Sequence, residues 1–172
     1  GRLPSKQLPC GVVSVGNITV GGTGKTPMTL WLAREFACAG RRTAIVSRGY
    51  GARPGERSDE AAELAILLPG VPHVANRDRV AGVAEAATRG ADVVVLDDGF
   101  QHRRLWRDLD VVAIDASDPF GCDHLLPRGL LRESVRGLAR ADAFVLTRAT
   151  TVDDAAREGI RTAVTRACGG KP

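Results

Sequence analysis

A glycine-rich turn between a predicted strand and a predicted helix constrains this fold more than any other feature. The strand covers residues 12–15, and the helix carries apolar residues at helical spacing until Gly40 ends it. Glycines let backbone N–H groups converge on an anion, and a helix N-terminus adds partial positive charge. The turn therefore predicts a phosphate-binding loop, here called the phosphate loop: Gly21, Gly22, Thr23, Gly24, Lys25 and Thr26.

Two side chains of this loop have chemistry that suits MgATP. Lys25 can reach the β- and γ-phosphates, and the Thr26 hydroxyl can ligate Mg²⁺. The full GxxxxGK[ST] pattern is not met, because Thr19 occupies the first glycine position. The alternative is a glycine turn before a helix that contains a lysine by chance. The order of strand, loop and helix favours the phosphate loop, with ATP and Mg²⁺ as its ligands.

A pair of aspartates follows the most apolar run of the chain. Residues 93–96 read Val-Val-Val-Leu, and Asp97 and Asp98 come next. A P-loop enzyme needs a carboxylate at the carboxyl end of a neighbouring strand to hold the Mg²⁺ shell. An aspartate after an apolar run also ends a strand without any metal role. Beside Lys25 and Thr26, a metal role for Asp97 or Asp98 is favoured, and the pattern does not decide between them.

Strands and helices alternate along the rest of the chain. This alternation predicts one α/β domain over residues 1–172, P-loop NTPase-like, with a mostly parallel sheet and helices on both faces. Further strands are predicted at 43–47, 71–75, 111–114 and 144–146, and further helices at 58–68, 78–89 and 152–167.

Composition excludes several classes of protein. A net charge of +4 suits anionic partners, but no stretch combines dense Lys/Arg with aromatic residues, so no nucleic-acid partner is expected. The four cysteines are widely spaced, which predicts neither disulfides nor zinc and suits a reducing cytoplasm. No run reaches about 18 apolar residues, so membrane contact is expected to be peripheral. No protein partner is inferred.

Several segments together resemble the lipid A 4′-kinase (tetraacyldisaccharide 4′-kinase) family. The most specific are the stretch from Val15 to Pro27 and the DDGFQH stretch from Asp97 to His102. The others, in chain order, are Ser47-Arg48-Gly49-Tyr50-Gly51, Asn76-Arg77-Asp78-Arg79-Val80, Pro119-Phe120-Gly121, Leu125-Leu126-Pro127 and Leu131-Arg132-Glu133.

The resemblance implies transfer of the ATP γ-phosphoryl group to the 4′-hydroxyl of a lipid A disaccharide 1-phosphate. It places the reaction at the cytoplasmic face of the bacterial inner membrane. By position in the family pattern, Asp59 would take the proton from the attacking hydroxyl and Glu60 would lie near the metal. The alternative is that these two acids merely favour a helix N-terminus.

The same resemblance implies a set of substrate-binding residues. Arginine suits the anionic sugar phosphate or the nucleotide because it donates two parallel hydrogen bonds to phosphate oxygens. A single arginine is more often a surface charge, so only those inside the family segments are singled out. The candidates are Arg48, Tyr50, Arg77, Arg79, Gln101, His102 and Arg132.

Three departures from the family pattern lead to a further expectation. No apolar anchor precedes Leu8, the stretch from Tyr50 to Asp59 is short, and the chain stops before the family's C-terminal portion. The chain is therefore expected to be an N-terminal core with weak or absent catalysis. One alternative is a nucleotide-binding module without catalysis. Another is a partitioning-type P-loop ATPase, although Val20 occupies the position of that group's signature lysine.

Overall fold

The computed structural model describes residues 5–49 and 66–169, which form two compact units. The described part of the first unit comprises residues 5–15, 26–49 and 66–108. That of the second comprises residues 16–25 and 109–169. The prediction of a single domain stays a prediction.

The first unit contains four parallel strands in the order β3-β2-β4-β1. The strands are β1 (Gly11–Gly16, whose last residue belongs to the second unit), β2 (Thr43–Ser47), β3 (His73–Ala75) and β4 (Val93–Asp97). Val95 of β4 pairs with Val13 on one side and Ile45 on the other. Such runs of β-branched residues are typical of parallel strands that are covered on both faces.

Helices cover both faces of these strands. Helix α1 spans Lys25–Cys38, and helix α2 spans Arg79–Thr88. Val46, Val94 and Leu96 pack with Val83 of α2. Their neighbours Ile45 and Val95, which point to the opposite face, pack with Ala33 of α1. The predicted α/β class with a parallel sheet and helices on both faces is confirmed.

The ends of these helices follow from local chemistry. Asp78 caps α2, since its carboxylate accepts hydrogen bonds from the N–H groups of Val80 and Ala81 at 3.0 and 3.3 Å. Gly40, at a φ of 77°, lies just beyond α1, and the Arg41 N–H returns to the Phe36 carbonyl at 3.0 Å. The strand predicted at 71–75 is shorter in the structure, because only residues 73–75 pair with β2.

The second unit contains two paired parallel strands and one long helix. They are β5 (Leu109–Asp115), β6 (Ala143–Thr147) and α3 (Asp154–Ala167), which Asp153 caps through the Ala156 N–H at 2.8 Å. Short 3₁₀ turns lie at Gly121–Asp123, Val135–Arg140 and Ala149–Thr151. Sequence periodicity did not predict these turns, since each is too short to show a repeat.

Most of the helix predicted at 58–68 lies outside the described residues, as do Tyr50, Asp59 and Glu60. In the part of the chain that the structure describes, no helix is both long enough and apolar enough to cross a membrane.

Candidate functional site

The phosphate loop follows β1 and leads into α1 with two glycines in left-handed backbone. Gly21 has a φ of 111° and Gly24 a φ of 80°. A methyl group placed on Gly21 or Gly22 would meet nothing within 4 Å. Glycine is therefore not required at position 22 for internal packing. On this side, a ligand can approach the loop backbone closely.

Buried polar contacts fix the inner side of the loop. The Asn17 amide nitrogen donates to the Thr23 hydroxyl at 2.8 Å, and both side chains are buried. The Thr23 N–H donates to the Gly21 carbonyl at 3.2 Å. A hydrogen bond between two side chains away from water holds its geometry, because breaking it would leave buried polar atoms unsatisfied.

The residues leading into the loop pair with a distant backbone segment. Val20 N–H donates to the Leu130 carbonyl at 2.8 Å, and Arg132 N–H donates to the Ile18 carbonyl at 2.7 Å. Leu130 N–H in turn donates to the Gly121 carbonyl at 2.9 Å. Two of the family segments, around residues 119–121 and 131–133, thus belong to a backbone support for the loop.

The end of β6 contacts the loop directly. The Thr147 hydroxyl donates to the Thr23 carbonyl at 2.9 Å and lies 3.2 Å from the Ile114 carbonyl. Arg148 donates through Nη2 to the Gly22 carbonyl at 2.7 Å, while its Nη1 pairs with Asp115. None of these three side chains was predicted from the sequence.

In the first unit, Asp97 ends β4 as a buried carboxylate held by α1. Its Oδ1 accepts a hydrogen bond from the Thr29 hydroxyl at 3.1 Å. Thr26 lies three residues before Thr29, so the two side chains share one face of the helix. The hydroxyl of Thr26 and the carboxylate of Asp97 are oxygen donors of the kind that Mg²⁺ prefers.

The turn after Asp97 is packed without spare space. Asp98 adopts a φ of 54°, and Gly99 N–H donates to the Val15 carbonyl at 3.1 Å. A methyl group on Gly99 would lie 2.7 Å from Ser14 Oγ and 2.9 Å from Leu96 Cβ. Only glycine fits at this position, which explains the glycine of the DDGFQH segment by packing alone.

The candidate arginines of the first unit differ in exposure. Arg48 and Arg77 are exposed. Arg79 is buried, and its Nη1 donates to the Asn76 carbonyl at 2.8 Å. Its Nη2 lies 3.5 Å from the Asp97 carbonyl. In this structure Arg79 supports the end of β4, and its role toward substrate stays a prediction.

Gln101 and His102 follow the same turn, and each is partly buried. His102 N–H donates to the Gly99 carbonyl at 2.9 Å, and its carbonyl accepts from Arg107 at 2.6 Å. Its Nε2 is buried without a hydrogen-bond partner in the described parts of the chain. Burial, and then the positive charge of Arg79, hold the pKa of His102 below its usual range, so the ring is neutral at pH 7.

Other site predictions remain untested. Arg132 is partly buried, and its backbone pairs with the residues leading into the loop. Tyr50, Asp59 and Glu60 lie outside the described residues. Within residues 5–49 and 66–169, no three Asp, Glu, His or Cys side chains cluster as metal ligands. A P-loop magnesium ion needs one or two protein oxygens, with water and phosphates supplying the others.

Sequence reasoning missed Asn17, Thr29, Asp115, Thr147 and Arg148. Asn17 lies inside a family segment, and Thr29 lies one turn beyond Thr26, so closer attention to helix spacing could have found both. Thr147 and Arg148 lie more than 120 positions from the loop they contact. No local pattern in the sequence carries that signal.

The strand–loop–helix geometry and the parallel sheet define a P-loop α/β protein. The family LpxK, tetraacyldisaccharide-1-P 4′-kinase, matches residues 1–168 of this chain. The chain therefore belongs to this family. A tetraacyldisaccharide 4′-kinase from an Anaeromyxobacter species is 44% identical over 100% of this chain and 51% of its own length. One from Syntrophobacter fumaroxidans is 47% identical over 91% of this chain and 45% of its own length. The chain spans about half the length of the curated relatives it matches.

Solved structures agree with the family and the fold. A crystal structure of LpxK from Aquifex aeolicus in complex with ATP is 40% identical, with a TM-score of 0.75 over 85% of this chain and 50% of that one. The signal recognition particle receptor FtsY from Elizabethkingia anophelis matches with a TM-score of 0.59 at 17% identity, over 96% of this chain and 57% of that one. At that identity, the likeness to FtsY concerns the fold alone.

Proposed function

We propose that this chain is an ATP-dependent kinase that phosphorylates the 4′-hydroxyl of a lipid A disaccharide 1-phosphate. The observation that carries the proposal is the match of the tetraacyldisaccharide-1-P 4′-kinase family to residues 1–168. It is supported by a phosphate loop whose backbone is held by buried side chains and by paired backbone.

The loop would bind the triphosphate of ATP. Its backbone N–H groups and the amino end of α1 favour negative charge, and Lys25 would neutralise the β- and γ-phosphates. Phosphoryl transfer depends mainly on alignment and charge neutralisation, so a loop held in shape before substrate arrives lowers the cost of binding. The open space beside Gly21 and Gly22 is consistent with close approach of phosphate oxygens.

Magnesium would be held by Thr26 together with Asp97 or Asp98, with Glu60 near it. Bound Mg²⁺ neutralises the charge that develops on the phosphate oxygens. Of the two neighbouring aspartates, the structure favours Asp97, because its carboxylate is buried at the end of β4 and oriented by Thr29. Asp98 adopts a left-handed backbone that aims its side chain differently from a strand residue.

Asp59 would accept the proton of the attacking hydroxyl, as the family pattern implies. The exposed guanidinium groups of Arg48 and Arg77 suit the phosphate of the acceptor. The remaining substrate contacts are proposed for Tyr50, Arg79, Gln101, His102 and Arg132. Since the acceptor is a lipid, the reaction would take place by peripheral contact at the cytoplasmic face of the inner membrane.

The direct test is phosphate transfer by the purified chain. The protein is incubated with Mg²⁺, γ-labelled ATP and the disaccharide 1-phosphate in detergent micelles, and label in the lipid is measured. We expect weak but measurable label with the unmodified chain, none with Lys25→Ala, and the same weak transfer with Lys6→Ala. Lys6 is a matched control because its side chain is exposed and lies outside the family segments.

A second pair of variants tests the proposed base. Asp59→Asn should abolish transfer while leaving ATP affinity unchanged, and the exposed Asp123→Asn should change neither. Lys25-dependent ATP binding without any transfer would overturn the kinase proposal for this chain and favour a nucleotide-binding module. ATP hydrolysis that acceptor lipid does not stimulate would instead favour an ATPase.

A further inference from the structure

Two consecutive residues at the end of β6 engage two consecutive carbonyl groups of the phosphate loop. Thr147 Oγ1 donates to the Thr23 carbonyl at 2.9 Å, and Arg148 Nη2 donates to the Gly22 carbonyl at 2.7 Å. All four residues belong to the second unit. The contacts therefore lie inside one compact body.

Holding a carbonyl also orients the next N–H group. In a planar trans peptide the C=O and the following N–H point in opposite directions. The hydrogen bond from Thr147 to the Thr23 carbonyl therefore turns the Gly24 N–H away from β6. The hydrogen bond from Arg148 to the Gly22 carbonyl likewise turns the Thr23 N–H away from Arg148. The Thr23 N–H also contacts the Gly21 carbonyl at 3.2 Å, so the Gly24 N–H is the donor that these anchors present most directly.

The Thr147 side chain contacts the loop through its methyl group as well. A methyl group on Gly24 would lie 3.0 Å from Thr147 Cγ2. The opposite side of the loop offers no comparable packing, since Gly21 and Gly22 face open space. The orientation of the peptides between residues 22 and 24 thus depends on the end of β6.

Arg148 is itself held in a fixed orientation. Its backbone lies in the left-handed region at a φ of 51°, a conformation that costs a non-glycine residue free energy and persists only where surrounding contacts enforce it. Its Nη1 pairs with the buried Asp115 carboxylate. The other oxygen of that carboxylate accepts from the Ser117 N–H at 3.0 Å and hydroxyl at 2.6 Å.

We propose that Thr147, and Arg148 held by Asp115, are positioning residues that fix the peptides between residues 22 and 24, so that the Gly24 N–H points to where phosphate would bind. This inference rests on the proposed function, because it concerns the loop that would bind ATP. The residues act through the loop backbone and need no contact with the nucleotide.

A pair of substitutions at one position separates the hydroxyl from packing. Thr147→Val keeps the shape of the side chain and removes the hydroxyl, and Thr147→Ser keeps the hydroxyl and removes the methyl group. We expect Thr147→Val to weaken ATP affinity about tenfold, the effect of one hydrogen bond, and Thr147→Ser to stay within about threefold. Affinity is measured by calorimetry and the fold is checked by thermal melting.

The mobility of the loop without nucleotide is measured by ¹⁵N relaxation of residues 22–25. Thr147→Val should lower the ¹⁵N order parameter of the Gly24 amide, and Thr147→Ser should restore it. Arg148→Ala is a second variant in case Thr147→Val fails to fold, because the Arg148 side chain is half-exposed. It should increase the mobility of the same backbone amides.

Unchanged affinity and unchanged order parameters in both Thr147→Val and Arg148→Ala would overturn the inference. Equal losses in Thr147→Val and Thr147→Ser would also do so, because packing alone would then explain them. Absence of phosphate transfer by the unmodified chain contradicts the proposed function without touching this result. If the unmodified chain does not bind ATP, the relaxation measurement without nucleotide still decides.

Discussion

Two glycine-bearing turns at the ends of parallel strands use glycine for different reasons. In the turn after β4, a methyl group on Gly99 would lie 2.7 Å from Ser14 Oγ. In the phosphate loop after β1, a methyl group on Gly22 would meet nothing within 4 Å. The first glycine is required by the protein's own packing, and the second faces space that a ligand could occupy.

The difference separates stability from binding. A glycine enclosed by the protein's own atoms should affect folding when it is replaced, whatever the ligand. A glycine that faces open space should affect folding little and binding strongly. Substitutions in the two turns therefore test whether Gly99 and Gly22 are needed for distinct physical reasons.

Gly99→Ala should have the largest effect on stability. Overpacking against Ser14 Oγ and Leu96 Cβ should cost about 3 kcal/mol of unfolding free energy, measured by chemical denaturation. Adding Ser14→Ala should recover part of the loss, because it removes the nearer of the two atoms. A Gly99→Ala protein as stable as the unmodified chain would remove the basis of the comparison.

Gly24→Ala should have an intermediate effect. The left-handed φ of 80° and the 3.0 Å approach of Thr147 Cγ2 should together cost about 1–2 kcal/mol in thermal or denaturant unfolding. ATP affinity should fall as well, because the loop backbone would shift. If Gly24→Ala lowers ATP affinity without lowering stability, Gly24 serves binding alone, as proposed for Gly22.

Acidification should lower the free energy of unfolding, because the folded chain disfavours protonation of His102 in the region after β4. Burial and the charge of Arg79 lower the pKa of this ring, so the unfolded chain binds more protons than the folded one as pH falls below the unfolded pKa of about 6.5. Stability is therefore full above that pH and falls below it. His73, whose pKa burial also lowers, adds to the same trend.

The measurement is the melting temperature between pH 7.5 and 5. His102→Gln should reduce its dependence on pH. An unchanged pH profile in that variant would show that the cost of protonating His102 is negligible.

Gly22→Ala should have the smallest effect on stability. Unfolding free energy should stay within about 0.5 kcal/mol, while ATP affinity falls because the methyl group occupies the open side of the loop. The control is Gly159→Ala, at an exposed glycine of α3 that also has open space around it. That variant should bind ATP normally and gain up to about 1 kcal/mol in helix stability. Equal ATP affinity in both variants would contradict the role of Gly22.

The fold was predictable because β1, β2 and β4 of the first unit are rich in β-branched residues. The start of the helix at Asp78 could also be predicted, since an aspartate before a segment with apolar residues at helical spacing is an N-cap signal. The degree to which each strand is buried was harder to predict from the sequence. Residues 93–96 and 144–146 are similarly apolar, but β4 is almost fully buried while every residue of β6 is partly exposed. What covers a strand is decided by tertiary structure.

The candidate site was predictable only where its residues are close in sequence. The glycines and Lys25 stand in one loop, and Asp97 follows a recognisable strand. Arg79 shows the limit of this reasoning. Arg77 and Arg79 share one segment, but the first is exposed and the second is buried. Pattern alone does not distinguish an arginine that faces solvent from one that hydrogen-bonds to backbone carbonyls.

The anchoring of the phosphate loop by β6 also has a consequence during protein synthesis. Thr23 and Thr147 are 124 positions apart. At about 5–20 residues per second, a ribosome needs on the order of 6–25 s to add that stretch. The nascent chain thus carries the complete glycine loop long before the residues that hold it in shape have been translated. Nascent chains arrested before Thr147 would therefore leave the loop peptides without these two anchors.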